Sequence, residues 1–197
     1  MTLPHLPPLF DPVDVEDGTE PLALACAQAA AGAEAGRLFW QNRPDRLACA
    51  LVLAPDRPWK EARRMQEVGL LAMADALAVL GPPEVEVGFR PEGDILVNGA
   101  SVGALCFLAP DGPEDEVPDW AVLGLAVDVL GDPQDDSPGL RPQSTALREE
   151  GFGDVAVPQL LECFARHLLS WTDLWDSEGA AKLDEALAQR MIREKAA

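Results

Sequence analysis

Apolar residues along this 197-residue chain change their spacing several times, and each change marks an element. Residues 1–17 read as extended and irregular, with an edge strand within Phe10 to Val15. Thr19 suits an N-cap, because its hydroxyl can accept an orphan amide, and Pro21 suits the first turn. An alanine-rich helix is therefore predicted to about Ala31, with Gly32 as its stop. Arg37 to Gln41 and Leu47 to Leu53 are short apolar runs flanking a Pro-Asp turn, so they read as strands. From Trp59 to Leu80 the apolar positions Ala62, Met65, Val68, Leu71, Ala72, Leu77 and Leu80 recur at helical spacing. Gly81-Pro82-Pro83 ends that helix, since neither proline can continue it.

Strands are predicted next at about Val85 to Arg90, Asp94 to Val97 and Ser101 to Leu108. Asn98-Gly99 favours the positive backbone angles of a two-residue hairpin turn. Trp120 to Val129 is a nearly continuous apolar run, too short for a core helix, and reads as a central strand buried on both faces. Leu130 to Pro142 reads as a turn-rich loop. Helices follow at about Val157 to Trp175, with Leu160, Leu161, Phe164, Leu168 and Trp171 on one stripe, and at about Ala180 to Glu194. The expected class is α+β, a mixed, mainly antiparallel β-sheet packed against helices with further helices at the C-terminal end. The expected organisation is an α+β domain over residues 1–155, with a helical segment over 156–197 packed on it.

Composition narrows the function classes. The formal net charge is −19, from 34 acidic and 15 basic residues, so nucleic acid is not an expected partner. No run of about 18 apolar residues is present, so no membrane span is expected. Met1 to Phe10 has no basic residue ahead of its apolar positions, unlike a secretory signal. Cys26, Cys49, Cys106 and Cys163 are scattered through apolar segments without a CxxC or Cys/His cluster, so reduced thiols in a cytoplasmic protein are expected and a metal site is not. Acid clusters at Asp14 to Asp17, Glu114 to Glu116 and Asp132 to Asp136 read as solvated connectors. Only three lysines, Lys60, Lys182 and Lys195, stand against twelve arginines, which restricts any lysine-dependent chemistry.

Several segments in order resemble the biotin and lipoate protein ligase superfamily. Gly88-Phe89-Arg90-Pro91-Glu92-Gly93-Asp94-Ile95-Leu96-Val97-Asn98-Gly99, continuing to Leu105, is similar to that family's central hairpins. There a Lys-Trp-Pro-Asn-Asp segment leads into a Lys-x-x-Gly-x-Leu strand. Asp17-Gly18-Thr19, Trp40-Gln41, Leu51 to Pro55 with Pro58, Val122 to Val129 and Thr145 to Gly151 resemble further family segments at collinear positions. The resemblance implies that fold from about residue 10 to 190. It also implies ATP, Mg²⁺ and biotin or lipoate as cofactors if the chain is active, and a carrier-protein lysine as acceptor.

The departures are chemical. Arg90 and Ser101 fall where the family keeps lysines, and Asp128 falls where it has asparagine. Arginine retains the charge but presents a planar fork on a longer stem. The family's Arg-rich adenylate loop of roughly twenty residues, whose closure excludes water, is reduced to Asn42-Arg43-Pro44-Asp45-Arg46. Carried over by the resemblance, the candidate catalytic residues are Arg90 and Asp94. The candidate ligand residues are Trp40, Gln41, Arg43, Arg46, Ser101, Gly103, Ala104, Gly124 and Asp128, with Trp40 lining an acyl pocket. Asp94 and Asp128 offer an alternative, holding Mg²⁺ between them and a phosphate.

Other constellations are weaker. Cys106 is a conceivable nucleophile, against an inert core thiol; His167 reads as a partly buried helix residue, and His5 lies in the proline-rich terminus. No GxGxxG or Walker-type loop is present. Two functions remain. One is acyl or biotinyl transfer through an adenylate, with Arg90 in the lysine's role and Arg43 or Arg46 on phosphate. The other is a binding or interaction module for a small acyl ligand or a partner protein, as monomer or homodimer. The acidic surface favours a basic partner over an acidic carrier domain.

Overall fold

Large and small apolar residues alternate along Arg46–Leu53 and Ala121–Asp128, and that alternation decides the architecture. Leu47, Cys49, Leu51, Leu123, Leu125 and Val127 point to one core. Ala50, Val52 and Val122 point to a second, smaller one on the opposite face. The computed structural model describes residues 4–131 and 143–191. In chain order its elements are β1 (Asp11–Asp14), α1 (Pro21–Ala30), β2 (Arg37–Trp40), β3 (Arg46–Leu53), α2 (Trp59–Ala62) and α3 (Met65–Leu80). There follow β4 (Val87–Phe89), β5 (Asp94–Val97), β6 (Ala100–Leu108), β7 (Ala121–Asp128), α4 (Val157–Glu178) and α5 (Ala180–Arg190).

The strands form one seven-stranded sheet in the order β1-β2-β3-β7-β6-β5-β4. β1 and β2 run parallel and every other pair is antiparallel, so the expected mixed α+β sheet is the observed one. Asn98 and Gly99 have φ of 50° and 85°, the two positive angles that the hairpin requires. The larger core lies between the sheet and α3 and α4, where Leu160, Leu161, Phe164 and Leu168 are almost fully buried. Each such side chain contributes on the order of 2 kcal/mol through removal from water.

Three local expectations are corrected. The residue ahead of α1 is Glu20, with no side-chain cap, and the Thr19 carbonyl instead accepts a hydrogen bond from the Gln41 amide at 2.8 Å. The helix predicted from Trp59 to Leu80 is broken at Arg63 and Arg64. There the amides of Arg64 and Gln66 donate to the carbonyls of Glu61 and Arg63, three residues back, in tightened turns. The entry to α2 is pinned from outside, because Trp59 and Lys60 donate their amides to the Glu116 and Glu114 carbonyls at 2.8 and 3.1 Å. The predicted stop at Trp175 comes later: α4 runs to Glu178, and Gly179, with φ of 79°, turns the chain into α5. Residues 132–136, an acid cluster in the sequence, and most of the turn-rich loop lie outside the described residues.

One carboxylate links α3 to both α4 and α5. Asp75 on α3 accepts from the Trp171 indole at 2.6 Å. The same oxygen lies 3.8 Å from His167 Nδ1, and the other lies 2.6 Å from the Arg190 guanidinium. His167 therefore belongs to a helix-packing network.

Candidate functional site

α1 packs over β2, β3 and β7, with Leu22 seated above Gly124. A Cβ at Gly124 would stand 2.7 Å from Leu22 Cδ1 and 3.1 Å from Cys106 Sγ, so glycine makes room for the helix. Toward the other end of these strands the same face is open. Ladder register places Ala48 of β3 beside Ala126 of β7, Ala126 beside Ala104 of β6, and Ala104 beside Asp94 of β5. This row of small side chains grades from buried Ala48 to exposed Ala104. Gly103 stands next to a register shift in the β5–β6 ladder, where a Cβ would come within 2.8 Å of Val127 Cα.

Charged and polar groups border the row. At the end of β2, Gln41 is 5% exposed and is the one buried polar or charged side chain among the described residues. Its bond to the Thr19 carbonyl ties the β2 terminus to the start of α1. The connection from β2 to β3 is short and braced, because the amides of Val129 and Leu130 donate to the Asp45 carbonyl at 2.8 and 2.9 Å. At the start of β6, Ser101 gives its amide to the Gln143 carbonyl and takes the Thr145 amide on its own, both at 2.8 Å. Its hydroxyl lies 3.4 Å from the Gly103 carbonyl.

Each candidate arginine has an aspartate of its own. Arg43 donates to both carboxylate oxygens of Asp45, at 2.5 and 3.1 Å. Arg46 and Asp128 are direct ladder partners with nitrogen and oxygen 3.5 Å apart. Arg90 and Asp94 close the β4–β5 hairpin, 3.2 Å apart, with the Arg90 amide also bonded to the Asp94 carbonyl. The Arg90 Nε is buried without a partner. The hydrogen bond from Arg43 holds the Asp45 carboxyl below the usual carboxylate range, and the same bond raises Arg43. Asp17 and Glu20 add further negative charge near Arg43.

Thus Gln41, Arg43, Arg46, Asp128, Gly103, Ala104, Gly124, Asp94, Arg90 and Ser101 belong to one region, on or beside the open face. Trp40 does not. It is fully buried in the core on the α3–α4 side, and Phe39 takes the α1 side instead. Its indole nitrogen has no partner there. Cys106 shares the site face beside Gly124, yet burial pushes its thiol up, so it is held as the neutral thiol. Lys60 and Lys182 sit on α2 and α5, outside the row, and Lys195 lies beyond the described residues. Asp45, Ala48 and Ala126 were not among the site residues expected from the sequence. The Arg-Pro-Asp-Arg turn was a signal for the first, and alternation with core leucines was one for the others.

The fold has counterparts among known proteins. Residues 6–189 match the Biotin/lipoate A/B protein ligase family. This chain belongs to that family. It is 28% identical over 173 residues to a biotin--[acetyl-CoA-carboxylase] ligase of Paracoccus denitrificans, covering 86% of this chain and 70% of that one. A biotin protein ligase-like protein of unknown function from Silicibacter sp. superposes with a TM-score of 0.87 at 35% identity, over 95% of this chain and 80% of the other. Biotin protein ligase of Aquifex aeolicus in complex with biotin and ATP superposes with a TM-score of 0.68 at 13% identity, over 92% and 78%. At that identity the likeness is one of fold.

Family membership raises the question of whether these side chains fit a nucleotide. A triphosphate needs uncompensated positive charge, and among the described residues Arg43, Arg46 and Arg90 are each already paired with a carboxylate. Asp94 and Asp128 are engaged with guanidinium groups, which is not the arrangement of a divalent-cation pair. The β2–β3 connection is too short to roof an adenylate. The residues present do not match ATP and Mg²⁺.

Proposed function

We propose that this chain is a non-catalytic member of the biotin/lipoate ligase family that keeps a sheet-face site for a small acyl ligand. The carrying observation is the one-to-one pairing of Arg43, Arg46 and Arg90 with Asp45, Asp128 and Asp94. Adenylate formation requires charge that is free to strengthen its contacts as the mixed anhydride develops. A guanidinium already paired with an adjacent carboxylate supplies less of this. The alanine row offers a floor of small apolar side chains, against which an acyl chain can lie in van der Waals contact.

Purified protein incubated with ATP, Mg²⁺ and each of biotin, lipoate and octanoate is expected to release no pyrophosphate above a control lacking the acid. Without ATP, at least one of the three is expected to raise the melting temperature, as a ligand that binds only the native state must. Acid-dependent pyrophosphate release would replace this reading with a catalytic one. That second reading draws support from the 28% identity with the Paracoccus denitrificans ligase, and in it Arg90 takes the role of the motif lysine.

A further inference from the structure

A cavity opens on the opposite side of the sheet from the candidate site, at the end of β3 remote from Arg46. It measures about 320 Å³ and lies between the β3 terminus, the α2–α3 junction and the last turns of α4. Leu51, Leu53, Met65, Phe107, Leu168 and Trp175 give it a largely apolar wall. None of the residues assigned above to the sheet-face site lines it. At about 30 Å³ per water-sized group it holds roughly ten such groups, at the lower end of small-molecule sites.

The mouth has a definite charge. Arg57 lies flat on the Trp175 ring, its guanidinium carbon 4.2 Å from the ring centroid. It is hydrogen-bonded to Asp176 and lies 3.6 Å from Asp56. Both carboxylates line the cavity rim and are exposed, so one guanidinium faces two acids. The stacked arginine already gives a hydrogen bond to Asp176, so an anionic ligand must compete with that carboxylate. A cation arriving at the rim meets net negative charge, on a chain whose formal charge is −19.

We propose that this cavity binds a small apolar amine, with its hydrocarbon body against Leu51, Met65, Phe107 and Leu168 and its ammonium between Asp56 and Asp176. The site is independent of the reading given under Proposed function. The ammonium meets two exposed carboxylates, which salt screens, so its advantage over an uncharged head group is no more than about fivefold in affinity at low salt.

Titration calorimetry with octylamine, octanol and octanoate at matched chain length tests this. Octylamine is expected to bind the wild-type protein most tightly and octanoate most weakly, with the amine's advantage shrinking as salt is added. Ala62→Leu, which places bulk on the cavity wall, is expected to abolish octylamine binding, and Leu53→Phe serves the same end should the first variant not fold. D56N/D176N leaves Arg57 as the only charge at the rim and is expected to reverse the order, so that octanoate binds more tightly than octylamine. Octanol or octanoate equalling octylamine on the wild-type protein overturns the proposal. So does octylamine binding that survives a folded cavity-filling variant, or an absence of binding by all three.

Discussion

Removing the two aspartates that silence Arg90 and Arg46 tests the charge argument directly. In D94N/D128N both guanidinium groups keep their strand positions, and asparagine keeps a hydrogen-bond acceptor of nearly the same shape. The pairs are 27%/39% and 50%/49% exposed, so each contributes no more than about 1 kcal/mol to stability and the variant should fold. Freed, each guanidinium interacts with a phosphate charge about 4 Å away by roughly 1 kcal/mol in a water-like surrounding, and more where the sheet excludes solvent. Two such groups give about 2 kcal/mol, around thirtyfold in affinity for pyrophosphate or ATP. Calorimetry at low ionic strength measures it. The control is D111N/E114Q, which changes the net charge equally, on exposed residues of the loop between β6 and β7 at the opposite strand ends from Asp128. If D94N/D128N binds pyrophosphate no better than this control, the pairs are not what excludes phosphate and the reasoning fails.

Three further outcomes follow from single groups. Asp75→Ala removes the acceptor of the Trp171 indole and the partner of Arg190, and should cost about 2–3 kcal/mol in urea unfolding, whereas Asp75→Asn, which keeps an acceptor, should cost about 1; equal losses would contradict the assignment. Burial pushes the Cys49 thiol up to about 12, so it should be the last of the four cysteines to react with an alkylating agent at pH 8, and only as fast as the protein opens. Asp45 is held below its ordinary value of 3.8 by Arg43, so it stabilises the fold above that pH and the contribution disappears as pH falls through the lowered value; Asp45→Asn should be slightly less stable than wild type at pH 7, by well under about 1 kcal/mol, with the gap closing in acid.

The parts of the fold legible in the sequence were those fixed by local chemistry. Asn98-Gly99 called its own turn, and the apolar run from Trp120 to Val129 called a central strand, covered on both faces as far as Leu125 and half-exposed at Ala126 and Asp128. The facing of Trp40 was not legible, because Phe39 and Trp40 are both apolar and both faces of β2 are buried, so alternation gave no polarity to read. The break at Arg63 and Arg64 was hidden for a related reason. It shows only in the amides of Arg64 and Gln66, which bond three residues back, while the helical spacing of apolar residues continues through it. At the site, the resemblance brought Gln41, Arg90, Asp94 and Asp128 into one list. That Arg46 faces Asp128 depends on the β3–β7 register, which no local signal encodes.

The short β2–β3 connection and the matched charges act in the same direction, and this leads to a prediction about introducing the family's lysines. Under a closed loop, water is excluded and an ammonium near a developing charge acts at low dielectric. On an open face the same ammonium is screened, and here it would stand beside Asp94 or near Asp128, both ready to pair with it. Counting Arg43, Arg46 and Arg90 against Asp45, Asp94 and Asp128 gives zero, and Asp17 and Glu20 near Arg43 take these eight groups to −2. Arg90→Lys leaves that count unchanged, and Ser101→Lys raises it only to −1. Neither variant, nor the two combined, is therefore expected to release pyrophosphate from ATP with biotin or lipoate. Turnover in R90K/S101K alone would mean that identity at two positions, and not the surrounding charge and the missing cover, had been the whole obstacle.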